Sequence, residues 1–199
     1  MASSEESGLR RTPPGQLYRI AWFFYLVIAV AAVFWLGLDP KAAPQCNGSA
    51  PCLDLFVNRE SWPLHLGVGV LGALAVVSLW EMTKRALPLA KAMDEQLMHL
   101  VGPLTPSEAA AIALLSGFSE EFFFRGAVQG SLGWLFATIA FALLHTGPSN
   151  ALRLWSLYAA AAGLLFSGLT LWTGNLLAPI TAHILINGIG LWRMSRQSA

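Results

Sequence analysis

Two adjacent glutamates and an arginine lie inside an apolar stretch, Ser119-Glu120-Glu121-Phe122-Phe123-Phe124-Arg125. On insertion scales, one charged side chain at the centre of a bilayer costs about 2.5–3.5 kcal/mol. Three such residues this close together must pair, face a polar cavity or do chemistry. Two later apolar segments each carry a histidine, His145 and His183, and Asn187 follows one turn after His183. A carboxylate, two imidazoles and an amide are the groups that can move a proton and stabilise a developing oxyanion.

Helical spacing divides these residues. Glu121 and Arg125 are four apart, so they share a face and can neutralise each other. Glu120 points about 100° away from that face. It is left to face a cavity, or else to serve as a second partner of Arg125. His183 and Asn187 share a helix face in His183-Ile184-Leu185-Ile186-Asn187, and both can donate hydrogen bonds into one spot. The competing reading is that they act as polar glue between packed helices. His145 closes Phe141-Ala142-Leu143-Leu144-His145, either in a site or at the interface. His65 has no polar companion at helical spacing and reads as interfacial, and His99, in the inner segment, reads as a solvated interfacial residue.

The elements that must position these groups follow from composition. The chain has 199 residues, 55% hydrophobic and 12% charged. Soluble domains average about 25% charged residues. The mean hydropathy of +0.57 also points to lipid as the solvent. The net charge is +1 and no long basic run occurs, so nucleic acid is not an expected partner. Apolar segments near 20 residues long are candidate spans. Six are read, at 19–38, 63–80, 106–129, 131–147, 152–173 and 175–193. The expected fold is an all-α polytopic membrane protein with about six transmembrane helices and a four-helix catalytic core.

The expected organisation has four parts. Residues 1–18 form a polar, disordered cytoplasmic tail. Residues 19–104 hold two transmembrane helices, an outer loop and an inner amphipathic segment. Residues 105–193 form the four-helix core, and 194–199 a cytoplasmic tail. The core opens with Thr105 as N-cap, Pro106 at the first helical position and Glu108 three residues after the cap, a capping-box pattern. With the N-terminus inside, Arg10, Arg11, Arg19, Lys84, Arg85, Lys91, Arg153, Arg193 and Arg196 lie inside. Lys41 and Arg59 lie outside. That bias fits the positive-inside rule and puts both termini inside. The outer loop contains Cys46 and Cys52 within Cys-Asn-Gly-Ser-Ala-Pro-Cys. Its turn formers allow a disulfide on an oxidising side; two free thiols are the alternative.

Glu-Glu-x-x-x-Arg, Phe-x-x-x-His and His-x-x-x-Asn, in that order on three helices, resemble the CAAX protease and bacteriocin-processing family of intramembrane endopeptidases. The resemblance covers about residues 106–193. It implies peptide-bond hydrolysis, with Glu120 activating water and His145 positioning it. His183 and Asn187 would form the oxyanion hole, with Glu121 and Arg125 in support. It further implies a membrane-anchored or lipidated protein substrate in the bilayer of a bacterial cytoplasmic membrane, and a myxosortase-like removal of C-terminal sorting tails. No cofactor is expected. The alternative is a zinc site with Glu120, His145 and His183 as ligands, although no His-Glu-x-x-His helix is present. Competing functions are a non-catalytic immunity or scaffold protein of the same fold, and a small proton-linked transporter.

Overall fold

The computed structural model describes residues 16–39, 42, 45–46, 50–51 and 59–197. The N-terminal tail expected before residue 16, and Cys52, lie outside the described residues, and so does any Cys46–Cys52 bond. The chain is almost wholly helical. Helix α1 spans Gln16–Leu38, α2 Trp62–Ala86, α3 Pro88–Val101 and α4 Pro106–Phe123. A π turn, Phe124–Val128, carries α4 into the short α5, Gln129–Leu132. Helices α6 (Trp134–Leu144), α7 (Asn150–Thr173) and α8 (Leu177–Gln197) follow. A two-residue antiparallel ladder, Gln45–Cys46 against Ala50–Pro51, lies between α1 and α2. The protein is an all-α membrane protein, as its composition requires.

Helix α8 is the central element. It packs on α4 and α2, while α1 lies against α4, α6 against α7, and α3 against α7. Two glycines allow the close crossings. A Cβ on Gly117 of α4 would stand 2.5 Å from Ile184 Cγ1, and one on Gly69 of α2 would stand 2.6 Å from the Ala178 carbonyl oxygen. Small residues let helix backbones meet in lipid, where packing rather than water exclusion drives association. Phe124, Phe141 and Phe166 interlock at the middle of the resulting core. Large apolar side chains such as Phe23, Phe34, Leu71 and Leu171 point outward, as a lipid-facing surface requires.

Among the described residues, α1 from Tyr18, α2 and α7 are long and apolar enough to cross a membrane. Helix α4 carries Glu108, Glu120 and Glu121, and α8 carries His183, Asn187 and Arg193. Their polar residues, which the core needs, lower their hydropathy. Helix α6 departs from the six-span reading. It has 11 residues where about 20 are needed to cross. The capping box at Thr105 forms, with its side chain accepting from Glu108 N and Glu108 reaching back to Thr105 N. Helix α3 falls within the segment expected to be inner and amphipathic, and Lys84 ties it to α2 through Asp94 at 3.0 Å. His99 on α3 is exposed.

Candidate active site

Depth is the first problem the fold must solve, because Glu120 and His145 come from helices running in opposite directions. Glu120 lies about 18 Å back from the end of α5, at 1.5 Å per residue. Helix α6 returns about 16 Å from that same end and stops, with His145 as its C-cap. The shortness of α6 thus brings His145 level with Glu120. Helix α8, crossing α4 at Gly117, brings His183 to the same level.

Glu121 and Arg125 form the ion pair expected from their spacing, at 3.0 Å with both side chains fully buried. Arg125 also donates from Nη2 to the Gly163 carbonyl at 3.1 Å. The rings of Phe141, Phe166 and Phe124 stand 4.6, 5.2 and 5.8 Å from its guanidinium carbon, so aromatic faces supply part of its solvation. The π turn begins directly after α4 and contains Arg125. Such turns are common at functional sites.

Glu121 has a second partner that local spacing did not indicate. His183 Nδ1 lies 2.7 Å from Glu121 Oε1, the oxygen that also receives Arg125. A carboxylate paired with arginine only accepts, so His183 Nδ1 carries a proton. His145 Nδ1 similarly lies 2.7 Å from the Phe141 carbonyl and must donate to it. Each imidazole, its Nδ1 hydrogen so committed, turns Nε2 inward. Both point at Glu120 Oε2, His145 Nε2 at 3.8 Å and His183 Nε2 at 4.0 Å. That oxygen is buried and has no hydrogen-bond partner among the described residues. Phe166 stacks on the His183 ring at 4.9 Å and fixes its plane.

Asn187 shares the His183 face of α8, but its amide is committed elsewhere. Its Nδ2 donates to Ser116 Oγ at 2.9 Å. Ser116 lies one turn before Glu120 on α4 and is fully buried. The Tyr25 side chain, from α1, has Ser116 and Glu120 as polar neighbours. Neither residue was singled out from the sequence. Ser116 could have been, since Ser116-x-x-x-Glu120 is a same-face spacing. Tyr25 could not, because it sits in the aromatic run Trp22-Phe23-Phe24-Tyr25 and meets Glu120 only through tertiary packing. Tyr25, Glu120, His145 and Asn187 line a cavity of about 360 Å³, which continues past Trp80 and Tyr158. A mainly apolar cavity with a few convergent polar groups is the usual form of a binding site.

His65 is not interfacial as its sequence neighbours suggest. It is 5% exposed, and its Nδ1 pairs with Asn175 Nδ2 at 2.8 Å. The partner is 110 residues away, so no helical spacing could reveal it. Asn175 Oδ1 accepts from Leu177 N, which makes this pair a tie between α2 and the start of α8.

As candidate zinc ligands, Glu120, His145 and His183 have suitable donor types, and metal-bound imidazoles usually tie back their other nitrogen in this way. Their spacing is wide. Ligands around a tetrahedral zinc at about 2.0–2.1 Å stand about 3.3–3.5 Å apart, against the 3.8 and 4.0 Å found. Among the described residues no group of three or more His, Cys, Asp or Glu side chains is placed to hold an ion.

Comparison with known proteins agrees with the motif resemblance. Residues 103–189 match the family described as type II CAAX prenyl endopeptidase Rce1-like, consistent with the CAAX protease and bacteriocin-processing family. The match runs from just before α4 into α8, includes all seven motif residues, and leaves out α1–α3. The chain is also 38% identical over 80 residues to the uncharacterized protein YpbD of Bacillus subtilis (strain 168). That likeness covers 39% of this chain and 41% of the relative. No solved structure matches significantly. The apolar helices and the family together support an integral membrane protein, and the family supports an endopeptidase in general terms.

Proposed function

We propose that this chain is an intramembrane endopeptidase in which Glu120 activates water against a peptide bond of a membrane-anchored or lipidated protein. One observation carries the reading. Glu120 Oε2 is buried, lacks a partner among the described residues, and faces two imidazole nitrogens held from behind. An unpaired buried carboxylate oxygen costs stability unless something uses it. A water bonded at about 2.8 Å to Oε2 and to either Nε2 suits separations of this size.

The steps balance as follows. Glu120 takes a proton from water as the water oxygen bonds to the carbonyl carbon. The carbonyl electron pair moves onto oxygen. When the tetrahedral centre collapses, the C–N bond breaks and the proton passes from Glu120 to the leaving nitrogen. His145 orients the water. His183 has its Nδ1 proton committed to Glu121, so it donates to the oxyanion from Nε2 only when that nitrogen also carries a proton. Asn187 supplies the second donor from its remaining amide hydrogen.

We take the substrate class to be proteins with a C-terminal membrane-sorting tail, and the mechanism to be metal-independent. A second reading keeps the peptidase but routes it through zinc on Glu120, His145 and His183. The inward-facing Nε2 atoms favour it and the wide spacing opposes it. Elemental analysis of the purified protein, with cleavage assayed after exhaustive chelation, separates the two. The proposed mechanism predicts undiminished cleavage. About one zinc per chain, with activity lost on chelation and restored by added zinc, overturns it. A non-catalytic scaffold would show no cleavage under either condition.

A further inference from the structure

We propose that Gly190 sets the size of a subsite for one bulky apolar side chain of the substrate, beside the bond to be cut. Resting on the peptidase reading above, this role is one of selecting among substrates, not of moving protons. Glycine is a poor residue for a helix interior, because its extra backbone freedom is lost there. Gly117 and Gly69 are explained by close helix crossings, and Gly133 and Gly174 by positive φ. Gly190 has neither reason. A Cβ built on it meets nothing within 4 Å. Gly37, Gly67 and Gly168 share that openness, but they lie exposed on the outer surface. Gly190 is half-buried, and the space it opens onto is the cavity walled by Glu120, His145 and Asn187.

Helical spacing fixes the direction. The residues three and four away on either side, Ile186, Asn187, Arg193 and Met194, all line that cavity. Gly190 lies at the centre of the group, so a side chain there would project into the cavity. Gly188 faces α4 instead, where its Cβ would stand 3.7 Å from Ala113. Distance then assigns the space to the reacting region of the substrate. Gly190 lies one turn beyond Asn187 along α8, a rise of about 4.5 Å. One residue of extended peptide covers about 3.3 Å. A peptide whose reacting carbonyl sits at Asn187 therefore brings the side chain of an adjacent residue over Gly190. The wall selects the chemistry of that side chain. Beyond Glu120, the charged side chains lining the cavity are Asp94 and Arg193, and each is already matched, by Lys84 and Glu81. Most of the remaining wall is apolar or aromatic, including Val77, Trp80, Met93 and Tyr158. Such a wall suits an apolar group and penalises a charged one.

Two measurements on the full chain test this. The first needs no substrate and uses native membranes. The thiol of Gly190→Cys should react with hydroxyethyl methanethiosulfonate, because a cavity serving hydrolysis admits water. Gly168→Cys, on the lipid-facing surface, should stay unreacted, since an apolar setting keeps a thiol protonated. The mass of the peptide carrying each position reads the adduct, so Cys46 and Cys52 stay in place. A folded but unreactive Gly190→Cys overturns the proposal. The second measurement maps cut sites. Mass spectrometry of membrane-protein C-termini compares cells carrying the unaltered chain, Gly190→Ala or Gly190→Leu. One methylene in a pocket discriminates by about 10–200-fold. Cuts beside the largest apolar side chains should fall by that factor with Gly190→Ala and vanish with Gly190→Leu, while cuts beside small side chains persist. The melting temperature of Gly190→Ala should hold or rise, because alanine favours the helix. Folded variants with an unchanged set of cuts overturn the proposal, and so does an equal loss at every site. A reactive Gly190→Cys in a chain whose unaltered form cuts nothing overturns the peptidase reading, and the subsite falls with it. Should Gly190→Leu fail to fold, Gly190→Ala carries the second measurement.

Discussion

Glu121 Oε1 receives two donors, Arg125 Nη1 at 3.0 Å and His183 Nδ1 at 2.7 Å. One buried carboxylate thus fixes both the cation that neutralises it and the tautomer of a histidine facing Glu120. Removing the arginine leaves that carboxylate charged, with only an imidazole beside it. Arg125→Ala should cost about 3–5 kcal/mol, the usual penalty for breaking a buried pair, read as a large drop in melting temperature and yield. Arg125→Lys should recover little of this. An ammonium cannot reach Glu121 and the Gly163 carbonyl together with a planar fork, nor stack between Phe141 and Phe166 as guanidinium does. A stable, inactive Arg125→Ala protein would place the arginine in the chemistry instead. Asn187→Ala should slow cleavage about 10²–10³-fold, the range for losing one oxyanion donor, without abolishing it. A rate unchanged from that of the unaltered chain would remove Asn187 from the site.

At the scale of elements, the site depends on one close crossing and one short helix. Gly117 sits three residues before Glu120, and Ile184 one residue after His183, so the α4–α8 contact sets the separation of base and imidazole. Gly117→Ala would put a Cβ 2.5 Å from Ile184 Cγ1 and 2.9 Å from Ile184 N. Overpacking of this kind costs about 1–3 kcal/mol, and cleavage should fall with the melting temperature. Ile184→Ala in the same chain should restore part of both, since it removes the nearer atom and not the backbone clash. Failure of Ile184→Ala to restore either would show that the crossing is not what separates base from imidazole. The Glu121–Arg125 pair and the capping box at Thr105 were legible because both are local, written three or four residues apart. His183–Glu121 and His65–Asn175 were not, because partners brought together by tertiary packing leave no trace in spacing. The length of α6 escaped for a different reason. The span read at 131–147 runs through Gly133, where the backbone turns with φ 87°, and past Leu144, where α6 ends.

At the scale of the whole molecule, composition alone established an all-helical membrane protein. The order of three motifs pointed to the segment that the family match covers. What composition could not show is how a membrane protein keeps two glutamates, an arginine and two histidines together in its core. The answer is a pairing of Glu121 with Arg125 and His183 that leaves Glu120 Oε2 buried, unpartnered among the described residues and facing both histidines. The account as a whole claims that Glu120 is the catalytic base. The most direct measurement compares membrane-protein C-termini by mass spectrometry in cells lacking the chain and restored with either the unaltered protein or Glu120→Gln. The amide keeps the shape of the side chain and cannot take a proton from water. The account predicts newly cut termini with the unaltered chain and none with Glu120→Gln, at equal expression and melting temperature. The same termini appearing with Glu120→Gln would contradict it.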